Sequence, residues 1–196
     1  MPAQILKTFT RCAVVTLLAA SSAAVAAIID ESGEAAATLA PTKESDTTGV
    51  ATFTSAGKDG MRLKLEISGL KAQSEHGIHV HEKGDCSAPD ATSAGPHFSL
   101  AGQQHGAMHG ESHAGDLGNI TADAAGKVST TMTIPDSKLT LGPGPLSVVG
   151  RALVVHAKAD DLKSQPAGDS GPRIACGVID RKTTQDGKSG AKPAAK

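Results

Sequence analysis

The sequence lacks a hydrophobic run long enough to cross a lipid bilayer. Its best candidate, CAVVTLLAA at residues 12–20, is shorter than the roughly 20 apolar residues that a transmembrane helix needs. The basic residues Lys7 and Arg11 precede this run, and the small residues AVA follow it at 24–26. This order is typical of a secretory signal peptide. We therefore predict a signal peptide over residues 1–26, a periplasmic or secreted location, and no stable membrane insertion.

Cysteine is scarce, with three residues in the whole chain. Because Cys12 lies in the predicted signal peptide, the exported chain would retain Cys86 and Cys176. Exported proteins occupy oxidising compartments in which cysteines form disulfides. We predict that Cys86 and Cys176 pair, and the alternative is two buried free thiols.

Acidic residues outnumber basic residues in the central part of the chain. The formal net charge of the whole sequence is −1. Lys7 and Arg11 contribute two positive charges and residues 181–196 contribute a net four, which leaves −7 on residues 27–180. Such an acidic body disfavours binding to nucleic acid, and we predict no nucleic-acid partner. Residues 181–196 show no apolar periodicity, so we expect a disordered basic tail.

The body also lacks a convincing helical pattern or an internal repeat. Its apolar residues recur with a period of two, as in MRLKLEI at 61–67 and KVSTTMTI at 127–134, which indicates half-buried strands. Turn signals such as AGKDG, ADAAGK and LGPGP separate them. The other candidate strands are VATFTS, GIHVH, ALVVHA, IACGVI and AAATLA. Seven or eight strands predict one all-β domain over residues 27–180, an antiparallel sandwich or barrel.

Two stretches, residues 82–116 and 158–173, interrupt the regular spacing of the strands. Both are too long to be plain hairpin loops. Long loops on a rigid β scaffold commonly carry functional residues. We therefore expect them to be two long functional loops.

Histidine, in contrast, is concentrated in one part of the chain. Seven of the eight histidines lie between His76 and His113, and the eighth is His156. Neutral imidazole is the commonest protein ligand for zinc and copper. This distribution predicts a metal site.

The spacing of the donors separates two groups. His79 and His81 lie two residues apart on a predicted strand and project from the same face, and His156 adds a third nitrogen from another strand. A carboxylate among imidazoles suits zinc, whereas nitrogen ligands without a thiolate suit copper. The number of donors fits two ions better than one. The first long loop contributes the remaining donors, namely His97, His105, His113 and Asp116.

With these residues in place, the chain resembles the Cu/Zn superoxide dismutases, in particular the kind exported by bacteria. The resemblance implies an eight-stranded antiparallel Greek-key β-barrel. It implies cofactors Cu(2+)/Cu(+) and Zn(2+), superoxide as the substrate, and conversion of superoxide to dioxygen and hydrogen peroxide, which would protect the cell envelope. The matching segments occur in the family's order: HGIHVHEKGDC, SAGPHF, HAGDLGNITAD, GRALVVHAKADDL and RIACGVI.

The resemblance also implies a role for each residue of the site. It makes His97 a catalytic proton donor, and it makes Arg173 the cation that attracts superoxide to copper. Asp160 would orient His79 and His105. The implied copper ligands are His79, His81, His97 and His156, and the implied zinc ligands are His97, His105, His113 and Asp116.

Several assignments stay open at the level of sequence. His76 is expected to be a structural histidine. His109 is either a solvent-facing extra histidine or a zinc ligand, and Lys163 is either a solvated lysine or a residue that steers the substrate. A copper carrier with the same fold is the alternative to the enzyme, although such a carrier would need neither Arg173 nor a shared histidine. The sequence does not decide between a monomer and a homodimer.

Overall fold

Nine β-strands form one antiparallel sheet in the computed structural model, which describes residues 33–182. The helical segments of this range are two single 3-10 turns, Gly57–Asp59 and Thr92–Ala94. No helix in residues 33–182 has the length and hydropathy of a membrane span. The predicted signal peptide lies outside the described residues. The strands are β1 Ala35–Pro41, β2 Thr48–Ser55, β3 Met61–Ser68, β4 Glu75–His81, β5 Asp116–Thr121, β6 Val128–Ile134, β7 Ala152–His156, β8 Arg173–Val178 and β9 Asp180–Arg181.

The strand order curls the sheet into a nearly closed barrel. Eight strands follow the order β5-β4-β7-β8-β1-β2-β3-β6, and β9 pairs with β1. The chain passes from β3 to the distant β4 and then returns through β5 to β6 beside β3, which is a Greek-key connection. Strands β5 and β6, at the two ends of this order, also approach each other. The predicted eight-stranded antiparallel Greek-key barrel is therefore confirmed, and long loops join β4 to β5 and β7 to β8, although the connection between β6 and β7 is about as long as the second of these.

Alternation of apolar and polar residues places the core inside the barrel. Met61, Leu63, Leu65 and Ile67 of β3 are buried, and Arg62, Lys64 and Glu66 between them are exposed. Phe53 of β2 lies directly across from Leu63 and is fully buried. On β6 the alternation is weaker, since Val128 and Ile134 are buried but Thr130 is exposed.

Strand β5 is missing from the strand segments predicted by sequence. Its sequence DLGNIT does not alternate, and its burial pattern does not alternate either. Gly118 has a φ of 83°, and the register with β4 shifts between Gly77 and His79. These irregularities remove the period of two. The strand nevertheless pairs Asp116 directly with His79.

The first two residues of the predicted tail are ordered. β8 pairs with one end of β1, and Arg181 of β9 pairs with Ala35 at the other end. The backbone amide of Lys182 donates to the carbonyl of Glu34 at 2.8 Å. Arg181 and Lys182 are therefore not part of a disordered tail, because backbone groups of β1 and of Glu34 bind them. Residues 183–196 lie outside the described residues.

A disulfide attaches the first long loop to the barrel. Cys86 in this loop and Cys176 on β8 form the predicted bond, with an S–S distance of 2.02 Å. The bond packs in a small apolar cluster with Ala91, Ala94, Ala152 and Val154. The prediction of this pair is confirmed.

Removing this disulfide is expected to lower the stability strongly. The bond closes a loop with a sequence separation of 90 residues, for which the chain-entropy model gives roughly 4 to 5 kcal/mol. We expect the Cys86→Ser/Cys176→Ser double variant to lose about this much free energy of unfolding, measured by denaturant titration of the metal-free protein. Reduced wild-type protein is the control and should match the variant. Equal stability of the variant and the oxidised wild type would refute the prediction.

Candidate metal centre

The first long loop returns alongside strand β4 and delivers its histidines there. The amide of Phe98 donates to the carbonyl of Val80 at 2.8 Å, and the amide of Val80 donates to the carbonyl of Gly115 at 2.9 Å. A Cβ atom on Gly115 would lie 2.1 Å from the Val80 carbonyl oxygen, so this close approach requires glycine. Val80 itself points into the apolar core. His79 and His81 therefore face the returning loop.

One group of four buried histidines gathers at this junction. Each ring offers one nitrogen, and these four nitrogens all lie within 4.8 Å of one another. Strand β4 supplies two of the rings, the end of β7 supplies one, and the returning loop supplies the fourth. The structure thus brings together the four predicted copper ligands, His79, His81, His97 and His156.

Hydrogen bonds determine which nitrogen of each ring is free. Nδ1 of His81 donates to the carbonyl of Gly95 at 2.8 Å, and Nδ1 of His156 donates to the carbonyl of Gly171 at 3.0 Å. Since a neutral imidazole carries one proton, each Nε2 keeps a lone pair. The two Nε2 atoms lie 3.4 Å apart. Two lone pairs facing each other at this distance are suited to a shared cation.

A second donor group lies around the carboxylate of Asp116. Its Oδ1 atom is 2.9 Å from Nδ1 of His97, 3.0 Å from Nδ1 of His105 and 3.4 Å from Nδ1 of His113. Its Oδ2 atom accepts the backbone amides of Gly106 and His113 at 3.0 and 3.1 Å. Three nitrogens and one oxygen form a donor set typical of zinc. The structure therefore also brings the four predicted zinc ligands together.

Asp160 connects the two groups. Its carboxylate accepts Nε2–H of His79 and Nε2–H of His105, both at 2.8 Å. Asn119 holds the backbone of Asp160 through two hydrogen bonds of 2.7 and 2.8 Å. A Cβ atom on Gly168 would lie 1.9 Å from the Asp160 carboxylate, so glycine permits the second long loop to pack there. Asp160 thus leaves Nδ1 of both histidines free.

The donor groups fit metal ions because their free nitrogens have no other partner. Four buried ring nitrogens make no hydrogen bond among the described residues. Buried polar atoms without a partner are rare and costly. A cation bound at each group would satisfy them. These atoms are Nδ1 of His79, Nε2 of His97, Nδ1 of His105 and Nδ1 of His113.

The surroundings of the donors favour neutral histidines and an ionised carboxylate. Burial, reinforced by the neighbouring His97 ring, lowers the pKa of His79 and of His81 well below 6.5. Burial lowers the pKa of His156 to about 4. For Asp116, burial opposes ionisation, but hydrogen bonds from His97 and a backbone amide lower the pKa overall. Neutral imidazoles and a carboxylate are the forms that bind metals.

Comparison with known proteins agrees with this geometry. The family model described as copper/zinc superoxide dismutase (SODC) matches residues 47–179. The chain belongs to the copper/zinc superoxide dismutase family. A superoxide dismutase [Cu-Zn] from Botryotinia fuckeliana is 47% identical over 124 residues, which cover 60% of this chain and 78% of that protein. The crystal structure of a double mutant of a SOD-like protein from Bacillus subtilis matches with a TM-score of 0.67 and 34% identity, over 74% of this chain and 96% of that one.

In this copper/zinc superoxide dismutase, the positively charged side chain of Arg173 lies beside the first donor group. The guanidinium of Arg173 donates to the carbonyls of Ala91 and Gly95 at 2.5 and 2.6 Å. The Gly95 carbonyl also accepts Nδ1–H of His81, so one backbone oxygen positions both side chains. Arg173 lines a cleft together with His81, His97 and His156.

The other histidines and Lys163 lie outside both donor groups. His76 bonds to the hydroxyl of Ser74 at 2.7 Å and to the carbonyl of His156 at 2.8 Å, which is a structural role. His109 is exposed, and the second donor group has four ligands without it. Lys163 is exposed at the surface of the second long loop.

Gln165 is a site residue that sequence reasoning missed. Its side-chain amide accepts the backbone N–H of His105 and donates to the backbone carbonyl of His105, both at 2.9 Å. The second long loop therefore fixes the backbone of His105, a member of the second donor group in the first long loop. A glutamine in a polar loop gives no sequence signal of such a contact.

Proposed function

We propose that this protein dismutates superoxide outside the cytoplasm, in the periplasm or as a secreted enzyme, with His97 as a ligand shared by copper and zinc. The activity itself follows from membership in the family. Two superoxide anions and two protons become dioxygen and hydrogen peroxide. When bound, copper supplies the redox centre for this electron exchange, and zinc supplies a fixed positive charge.

The position of His97 carries the proposal of a shared ligand. Its Nδ1 atom is 2.9 Å from Oδ1 of Asp116 in the second group. Its Nε2 atom is buried without a hydrogen-bond partner, and the ring stacks on His79 of the first group at 3.9 Å between centroids. His97 is the one residue common to both donor groups. A ring with one nitrogen toward each group is suited to bind two ions.

The residues of the chain also create a local attraction for superoxide. The body carries a net charge of −7, which repels a small anion at long range. Arg173 places a fixed positive charge at the cleft that leads to the first group. Its two hydrogen bonds to backbone carbonyls hold this charge in place.

The disulfide supports a location outside the cytoplasm. Disulfides persist in oxidising compartments and are rare in the reducing cytoplasm. The segment predicted as a signal peptide precedes the barrel. Fractionation of cells that express the full chain, with mass spectrometry of its N-terminus, tests the proposal. Full-length protein in the cytoplasm would overturn the proposed location.

A spectroscopic experiment tests the shared ligand. Purified protein is loaded with Cu(II) in the first group and paramagnetic Co(II) in the second. If the His97 ring binds both ions, the two spins couple and the electron paramagnetic resonance signal of Cu(II) is lost. An ordinary Cu(II) signal at full occupancy of both sites would exclude the shared ligand. Two bound metals without superoxide turnover would instead favour the copper carrier.

Reversal of the charge at Arg173 is expected to slow the capture of superoxide. Electrostatic steering raises association rates by about 10- to 1,000-fold, so we expect Arg173→Glu to lower kcat/KM by at least about tenfold at low salt. The defect should shrink as salt is added, because the Debye length falls to about 10 Å at 0.1 M ionic strength. Arg173→Lys is the charge-conserving control. A defect of equal size at every salt concentration would argue against steering.

A further inference from the structure

The buried lysine Lys138 lies outside both donor groups and outside the cleft at Arg173. The residue lies in the connection between β6 and β7 and is 7% exposed. Both hydrogen bonds that the structure gives its ammonium group end at Ser112, one at the carbonyl (2.9 Å) and one at the hydroxyl (2.7 Å). A buried ammonium is expensive unless it is well compensated. The free-energy cost of burying this ammonium group suggests that Lys138 has a specific role.

The partner of Lys138 lies directly beside the second donor group. Ser112 precedes His113 in the chain and is 1% exposed. Its hydroxyl donates to the carbonyl of Ala107 at 2.8 Å, and its amide donates to the carbonyl of Gly110 at 3.0 Å. These bonds close the turn that lies between His105 and His113 in the first long loop. Ser112 therefore determines the shape of this turn.

Lys138 is itself fixed to the barrel. Its backbone amide donates to the carbonyl of Pro135 at 2.9 Å, immediately after β6. The next residue, Leu139, is fully buried in the main core. The backbone that carries the ammonium group is thus anchored to the barrel wall. The turn that the ammonium group contacts lies at the surface, where His109 and Glu111 are exposed. The chain of bonds runs from Lys138 to Ser112 and on to Ala107.

From these contacts we infer that Lys138 is a positioning residue for zinc: through Ser112 it fixes the turn between His105 and His113 to the barrel. This inference rests on the proposed function, in which the second donor group holds zinc. Charge alone does not explain the residue, because a cation near the group opposes a second cation. Its contribution is to hold the ligands in place before the metal binds, which raises affinity by reducing the cost of ordering them.

The rate of zinc release tests the inference without relying on activity. Full-length protein is loaded with copper and zinc, and the release of each metal to an excess of chelator is followed. We expect Lys138→Met to release zinc about tenfold faster, in the range known for residues that support metal ligands, and to release copper at the wild-type rate. Lys58→Met, at an exposed lysine, is the control and should match the wild type.

A second variant keeps the test open if Lys138→Met does not fold. Ser112→Ala removes the hydroxyl, which accepts from Lys138 and donates to Ala107, but keeps the carbonyl, so we expect faster zinc release than in the wild type. Wild-type zinc release in both variants, or an equal increase for zinc and copper, would overturn the inference. If the wild type binds no zinc, both the proposed function and the inference fail. If it binds zinc normally and the variants match it, the inference alone fails.

Discussion

The variant His156→Ala is expected to lose superoxide turnover by more than about a hundredfold, which exceeds the roughly 10- to 100-fold losses typical of residues that only support a ligand. His156 offers one of the four nitrogens of the first donor group, and Ala has no donor to replace it. The paired backbone of β7 does not depend on this side chain. We therefore expect the circular dichroism spectrum to be retained, copper content to fall, and zinc content to persist.

The exposed His109 provides a matched control for this substitution. His109→Ala removes an imidazole from the same protein without touching either donor group, so its turnover and metal content should equal those of the wild type. The measurements are superoxide consumption and metal content per chain after loading with both ions. Wild-type turnover in His156→Ala would remove this histidine from the assigned copper ligands.

The variant Asp160→Asn is expected to weaken copper binding by about 10- to 100-fold. The carboxylate accepts Nε2–H of His79 at one oxygen, and Nε2–H of His105 and the amide of Leu162 at the other. An asparagine amide has one oxygen, which would be retained where two donors converge. Its NH2 group would then face His79 and force the proton of that ring onto Nδ1, the nitrogen of the first donor group.

The neighbouring Asp161 offers a control of the same chemistry. Asp161 is exposed and bonds to the hydroxyl of Ser164 and to local amides, so Asp161→Asn should bind both metals as the wild type does. Competition with chelators of known affinity gives the dissociation constants. We expect copper affinity in Asp160→Asn to fall more than zinc affinity. Unchanged affinities for both metals would show that Asp160 does not set the ring proton of His79.

Regular strands were predictable because their pattern is local. On β3, four apolar residues at alternate positions indicate one buried face, and the structure buries all four. On β4 the same spacing places His79 and His81 on one face, as the first donor group requires. β5 was not predictable in this way, because Gly118 and the shift in register beside Gly77 and His79 interrupt its alternation.

The contacts that support the donor groups were predictable only in part. Family resemblance implied that Asp160 orients two histidines, and the structure places its carboxylate against both rings. Asn119, Gln165 and Lys138 were not anticipated. Their partners lie 41, 60 and 26 residues away in the chain. A polar residue in a loop gives no local sign of a partner at such a separation.

The sequence by itself determined the kinds of donor present and their short-range spacing, since imidazole chemistry and the strand period of two are local properties. It also left two cysteines to pair outside the predicted signal peptide. Only the tertiary structure decided which nitrogen of each ring is free. That choice depends on acceptors such as Gly95, Gly171 and Asp160, which closure of the barrel and the return of the two long loops bring beside the rings. A ring nitrogen becomes a ligand when a distant acceptor holds the proton on the other nitrogen.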